Sequence, residues 1–258
     1  MIYTDVTFDS FELTSIPGVR VLKIDPYLPA KRSLEIAEIA RTDSSKLSSA
    51  FYTKKNILVR IGITGSNRRA SEQTLDSVMT VVQGQEKWLV VPQASGTRKY
   101  LTTYSDYDVR RDGGSYIELD LNFVCSNSFG YSTIDITLFT FTGSTVATRT
   151  ESITLDGSAP WQAPRFSITY SALTGGSAKT VTYGNSNTGQ QISIVRTWTS
   201  GDVLVIDSDA KTVQVNGADV DFSGAFPEWQ KGVGSVYYSD NFTSRTFSGT
   251  LKYNKRYV

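Results

Sequence analysis

Catalysis in this chain would fall to carboxylates, hydroxyls and one thiol, because it has no histidine and a single cysteine, Cys125. That removes His-based triads, most zinc sites and the commonest general base. Acidic pairs remain. Glu35/Glu38 and Asp106/Asp108 have the make-up of glycosidase carboxylates, but nearly every chain of this length offers such pairs, and the separation that matters is spatial. Asp207, Asp209, Asp219 and Asp221 crowd oxygen ligands into a short stretch, as a calcium site would. Their spacing lacks the central glycine and terminal glutamate of the calcium loop, so turn and strand-surface acids are the better account. Gly113-Gly114 and Gly175-Gly176 do not stand between a strand and a helix, and are not phosphate cradles. Arg68-Arg69 could meet an acidic partner or nucleic acid. A solvated loop explains them, although cations at a helix start oppose the macrodipole. Cys125 ends an alternating run and reads as a small buried hydrophobe. Trp161, Trp198 and Trp229 lie in or near loops, where they could stack on sugar rings. Packing or subunit contacts are the preferred reading, and Trp88, within a strand, is expected in the core. No catalytic, cofactor-binding or metal-binding residue is assigned.

Bulk properties narrow the classes further. The net charge of +1 gives no global case for nucleic acid or an anionic membrane. No apolar run is long enough to span a bilayer, and Met1 to Asp5 do not open a signal peptide. One cysteine allows no internal disulfide, which fits assembly in a reducing cytoplasm. The 14 Tyr, 12 Phe and 4 Trp suit a strand-rich protein of one large or two smaller β domains.

The elements that would position any site follow from periodicity. Residues 2–28 alternate and read as two or three strands with a turn at Ile16-Pro17-Gly18. Residues 34–40 fit either a helical turn or an alternating strand, and 43–49 read as a polar loop. Ile57 to Gly65 is a strand. Leu75, Val78, Met79 and Val82 fall on one face of a helix within 66–82, with Ser71, Thr74 and Asp76 as polar caps and Gly84 as its stop. Strands follow at 87–92, 98–104 and 116–125. Ser126 to Tyr131 is a hinge between domains. Beyond it, short strands near 134–141, 150–155, 164–170, 179–183 and 191–195 are separated by Gly, Ser, Asn and Asp, the spacing of an all-β sandwich. Residues 171–176 and 184–189 are loop material.

The segment 202–238 is the most informative. Val203-Leu204-Val205-Ile206 is nearly continuous in branched apolar residues and predicts a strand buried on both faces. Val213-Gln214-Val215 alternates, and Asn216-Gly217 supplies the positive φ of a type I′ hairpin turn. Val220 and Phe222 resume the alternation, Phe226-Pro227 and Lys231-Gly232 form a loop, and 236–238 is a further strand. This predicts a four-stranded antiparallel meander.

Leu204 to Asp207, Val213 to Val220, Phe226-Pro227 and Lys231-Gly232, in that order, resemble the closing segment of distal tail proteins. These are the baseplate hub subunits of bacteriophages with long, non-contractile tails. One departure is visible: Val233-Gly234 stands where the family often has Asn. The strand–helix–strand order with Lys87-Trp88-Leu89, Arg98-Lys99-Tyr100 and Leu121 to Cys125 is similar to that family's N-terminal domain.

The resemblance implies a mainly β fold. Residues 1–130 would form a tail-tube-like β-sandwich or split barrel with one flanking helix, and 131–245 a galectin-like β-sandwich. Phe247 to Tyr253 read as a last strand, and the C-terminal tail, about 246–258 with its basic-aromatic end Asn254 to Val258, is expected to pack back on the first domain. It also implies a structural virion protein of the tail tip, assembled in the host cytoplasm as a homo-hexameric ring. Its partners would be the tail tube protein, the tail-tip hub or tail-associated protein, and receptor-binding or side-fibre proteins. DNA would pass the bore without specific binding, and the chain would insert in no membrane and need no cofactor. The alternative is a carbohydrate-binding module for host cell-surface glycan, with a glycan-degrading enzyme ranked far below.

Overall fold

Alternation decides the first half of the chain. The computed structural model describes residues 6–25, 31–38, 45–93, 96–175 and 177–258, without the side chains of 32 and 34–51. The chain divides into two units, one ending at Thr133 and the other running from Ile134 to Tyr257. The first contains β1 (Thr7–Phe8), β2 (Phe11–Glu12), β3 (Val19–Asp25), β4 (Arg32–Glu38), β5 (Ser45–Tyr52) and β6 (Asn56–Thr64). Helix α1 (Arg68–Val82) follows, then β7 (Lys87–Val91), β8 (Arg98–Asp112), β9 (Tyr116–Cys125) and β10 (Gly130–Ser132).

Seven of these strands line up as β2-β1-β7-β8-β9-β6-β3, every pair antiparallel, with β10 on the start of β8. Along β9, Ile117, Leu119, Leu121, Phe123 and Cys125 are buried in the core, while Glu118 and Asn122 face the other way and are only partly buried. Ile57, Val59, Ile61 and Ile63 of β6 meet them. Helix α1 closes this core with Val78 and Val82, and with Leu75 and Met79 at its edge. Its N-cap is Asn67, whose Oδ1 accepts a hydrogen bond from the Ala70 amide at 3.0 Å. That corrects the expected caps: Ser71 is buried in the first turn instead.

The second unit holds β11 (Ile136–Ser144), β12 (Thr148–Leu155), β13 (Trp161–Gln162), β14 (Arg165–Thr174), β15 (Lys179–Asn185) and β16 (Gln191–Arg196). It continues with β17 (Val203–Asp207), β18 (Thr212–Val215), β19 (Ala218–Asp219), β20 (Ser223–Gly224), β21 (Trp229–Gln230), β22 (Gly232–Asp240) and β23 (Ser244–Tyr253). One sheet has the order β11-β23-β14-β17-β18-β19 and the other β12-β22-β15-β16-β20. Their inner faces share one core. Phe166 of β14 stacks on Tyr183 of β15 with centroids 4.6 Å apart, and Tyr238 of β22 meets Phe247 of β23 at 4.9 Å. The chain is mainly β with one helix, as expected.

Several local expectations change. Residues 32–38 are a strand, and 45–49, expected as loop, lie in its partner β5; residues 43–44 are outside the described residues. Strand β17 is buried on one face only, since Val203 and Val205 stay partly exposed. The expected meander holds for β17, β18 and β19, but the strand over 236–238 belongs to the opposite sheet, as part of β22. Tyr131 and Ser132 pair with β8 of the first unit, where the sequence placed the start of the second domain. Residues 247–253, read as a last strand, are most of β23, an inner strand of the second unit, so the 246–253 part of the expected tail is not a tail; Phe247, Leu251 and Tyr253 alternate into the core.

The Asn216-Gly217 turn forms as read, with φ of 55° and 79°. The Asn216 side chain also works: its Oδ1 accepts from the Val203 amide at 2.9 Å and its Nδ2 donates to Asp202 Oδ1 at 2.8 Å. Asn216→Gly keeps the backbone and loses both bonds, so it is expected to cost about 1–2 kcal/mol. Asn216→Ala adds left-handed strain of roughly 1 kcal/mol more. Urea unfolding followed in the second unit checks the order of the two.

Candidate functional site

The arrangement with the most charge chemistry lies on the outer face of the first unit's sheet. Residues of β6, β8 and β9 that point away from the core bring Arg60, Arg110, Glu118 and Asp120 together. Asp120 lies between the other two strands, and its side chain is fully buried, 0% exposed. Its Oδ1 accepts from Arg60 Nε at 2.6 Å and its Oδ2 from Arg60 Nη2 at 3.1 Å and Arg110 Nε at 2.6 Å. Glu118 stands 3.6 Å from Arg60 Nε. One rung along, Asn122 Nδ2 donates to Asp106 Oδ1 at 2.7 Å. Hydrogen bonding from Arg60 is the main cause that holds the Asp120 carboxyl below the ordinary carboxylate range; burial opposes it, and Arg110 reinforces it. A carboxylate held ionised by two guanidiniums is a poor general acid or base.

Polar burial in the second unit is equally inward-looking. The Tyr238 hydroxyl donates to Asp240 Oδ2 at 2.7 Å and lies 3.2 Å from the Tyr170 hydroxyl. Arg245 Nε pairs with Asp240 Oδ1 at 2.8 Å. Burial pushes Tyr170 and Tyr238 far above the ordinary phenol range, and raises Asp240 as well. These groups brace the core between β14, β22 and β23.

The residues singled out in the sequence scatter. Glu35 and Glu38 lie on β4, with side chains outside the described residues. Asp106 and Asp108 are exposed on β8. Asp207 Oδ1 accepts from the Asp209 and Ala210 amides at 2.9 and 3.0 Å, Asp209 pairs with Arg256, and Asp219 accepts from Gln214 at 3.0 Å. Asp221 is exposed outside any strand. Among the described residues no group of three or more His, Cys, Asp or Glu is placed to hold a metal ion. Arg68 pairs with Glu72 at 2.9 Å and stands 3.6 Å from Asp112. Gly114, at φ 79°, sits in a hairpin turn; Gly175 ends β14's loop at φ 68°, and Gly176 is outside the described residues.

Trp198 and Trp229 are buried, at 2% and 1% exposure, and donate to the carbonyls of Lys179 and Ser235. Trp161 is 40% exposed. Trp88 corrects its expectation: it is 38% exposed, on the outer face of β7, edge-on to Tyr131 at 5.8 Å and under Lys99 Nζ at 5.0 Å. The pleat explains it, because Leu89 and Val91 take the inward positions.

Sequence reasoning missed the Arg60–Asp120–Arg110 clasp. Its signal was present as opposite charges at outward positions of alternating strands, but pairing register had to be known before they could be joined.

Comparison with known proteins points to components of phage tails. Residues 156–257 match the family model described as siphovirus-type tail component, C-terminal domain. Over its whole length the chain is similar to the crystal structure of the Dit protein of phage SPP1, described as a paradigm of the hub adsorption apparatus in phages infecting Gram-positive hosts. The TM-score is 0.69 at 12% identity, covering 100% of both chains. It is also similar to a chain of the phage P2 baseplate in its activated conformation with Ca, with TM-score 0.55, 9% identity, and 95% and 92% of the two chains covered. The same baseplate with Sr gives 0.52 at 10% identity, covering 94% and 92%. At these identities the structures show the fold alone, and no curated protein matches.

Residues 156–257, within the second unit, are thus similar to the C-terminal domain of siphovirus-type tail components. Over its full length the fold is like that of the SPP1 Dit protein. Among the described residues no helix is long and apolar enough to cross a membrane.

Two expectations follow. Replacing Asp120 by Asn should cost about 2 kcal/mol at neutral pH, since charged hydrogen bonds are lost from a buried position. Because the folded pKa is lowered, that contribution is complete above the unfolded value near 3.9 and is lost as pH falls through the folded one. Denaturation should thus show a constant gap between wild type and variant from pH 8 to about 5, closing only in stronger acid. Cys125 is 1% exposed and burial pushes its thiol up to about 12. A thiol reagent at pH 8 should leave it unmodified until the first unit is unfolded.

Proposed function

We propose that this chain is a structural ring subunit at the virion's tail tip, six copies closing head-to-tail through their first units. The ring would join the tail tube to the tail-tip hub or tail-associated protein. The second units would carry receptor-binding or side-fibre proteins. The observation that carries this reading is the outer sheet face around Asp120. Its charges of both signs are bound to one another, so a DNA polyanion passing it finds few free cations to hold it. Such a face suits the lining of a bore.

A second feature supports ring closure. Strand β7 accompanies β8 only from Arg98 to Thr102, so the far half of β8, out to Asp112, has one edge without a partner among the described residues. An open edge is a template for pairing with another chain. A head-to-tail contact of this kind closes into a ring when its rotation divides the circle.

The carbohydrate-binding alternative loses most of its aromatic platform, since Trp198 and Trp229 are core residues. Size-exclusion chromatography with light scattering tests the ring. A mass near six times 28.4 kDa is expected, and a strict monomer across the micromolar range, alone or with the tail tube protein, would count against it.

A further inference from the structure

On the outward face of the six-stranded sheet, two like charges stand side by side. Arg165 of β14 and Lys252 of β23 are direct cross-strand partners, and both point away from the core because Phe166 and Leu251 point into it. Like charges in this position repel and destabilise a sheet. Arg165 is partly compensated by Asp135 at 3.1 Å. On its other side it faces Asp207 in register, whose carboxylate already caps the Asp209 and Ala210 amides. Lys252 makes no ion pair among the described residues.

The pair borders a groove of about 350 Å³ lined by Arg165, Ser167, Val205, Thr250 and Lys252. The next rung supplies its floor: Thr250 pairs with Ser167, and Ser167 with Val205. The only charged residues in that lining are the two cations. Two hydroxyls and one apolar side chain complete it.

We propose that this groove docks a partner protein through a single carboxylate, seated between Arg165 and Lys252, with an uncharged, partly apolar neighbour lying over Val205. The guanidinium and ammonium would donate charge-assisted bonds to the carboxylate, and Ser167 and Thr250 would bond the flanking backbone. One anionic group fits and a polyanion does not. Beyond the first rung the groove offers hydroxyls without a further cation, and on the other side Arg165 and Lys252 also line an adjoining cleft with Asp135, Asp207 and Asp209. The inference rests on the reading above for the kind of partner, since the second unit would be the carrier of fibre or receptor-binding proteins. The charge pair itself rests on sheet register.

The test uses the full chain and a fluorescein-labelled, end-blocked Ser-Val-Glu-Val-Ser-Thr peptide, with its Glu→Gln counterpart. Anisotropy should show the Glu peptide binding about ten-fold more tightly than the Gln peptide, the size of one charge-assisted contact. Lys252→Gln and Arg165→Gln should each weaken it several-fold, and Lys252→Arg should retain it. Without peptide, Lys252→Gln should raise the Tm by about 1–3 °C, because the repulsion is relieved. Equal binding of the two peptides, no binding of either, or a fall in Tm for Lys252→Gln would overturn the proposal. So would displacement by poly(glycerol phosphate) at lower anion concentration than by unlabelled Glu peptide, which would assign the groove to an anionic polymer. Ring mass is independent of these readouts, so a chain that forms rings but ignores the peptide refutes only the docking site.

Discussion

The Asp120 carboxylate, held between Arg60 and Arg110, fixes how three strands of the first unit can lie. Strand pairing in an antiparallel sheet has period two, so a slip of one residue exchanges the faces. In β9 such a slip would bring Glu118 and Asp120 into the core and turn Leu119 and Leu121 to water. The clasp adds a second penalty to the first, because a displaced Asp120 would be a buried charge without partners. Hydrophobic alternation therefore chooses the face, and the ion pair pins the register. The same residues that secure the sheet leave its outer face charged yet nearly self-neutral, and this is the surface the ring reading uses.

The second unit solves its register differently. Its core is aromatic and crosses between two sheets, with Phe166 on Tyr183 and Tyr238 on Phe247. Inside it, the Tyr170, Tyr238 and Asp240 side chains are linked by hydrogen bonds and Arg245 pairs with Asp240. Its edges are also guarded. Strand β11 pairs with β23 through two irregularities, and β12 carries Arg149 and Glu151, paired at 2.6 Å, on the side that faces the core. Bulges and inward charges discourage further strands from adding. A unit with guarded edges is suited to offering sheet faces to partners, and the Arg165–Lys252 groove is on such a face.

Much of this was legible in the residues. The α1 stripe of Leu75, Val78, Met79 and Val82, the alternation of β9 and the Asn216-Gly217 turn all speak through local period or local backbone preference. Failures came where a decision depended on something far away in the chain. Leu34 to Ala37 could not choose between periods on their own, and pairing with β5 settles them as a strand. Trp88 was expected inside because it lies in a strand, but its neighbours Leu89 and Val91 hold the inward positions. Residues 236–238 looked like the next strand of a meander, and only the second sheet's need for a strand between β12 and β15 takes them elsewhere. The Asp120 clasp and the Arg165–Lys252 pair are properties of register, which no single strand states.

The central proposal is that the chain works as an assembling part of a tail tip, through bonded surfaces. Electron microscopy of purified virions with gold bound to a tag at Val258 tests it most directly. Gold clustered around the distal end of the tail, at several particles per tip, is the predicted result. Virions free of label, with the tagged chain recovered only as a separate soluble subunit, would contradict it.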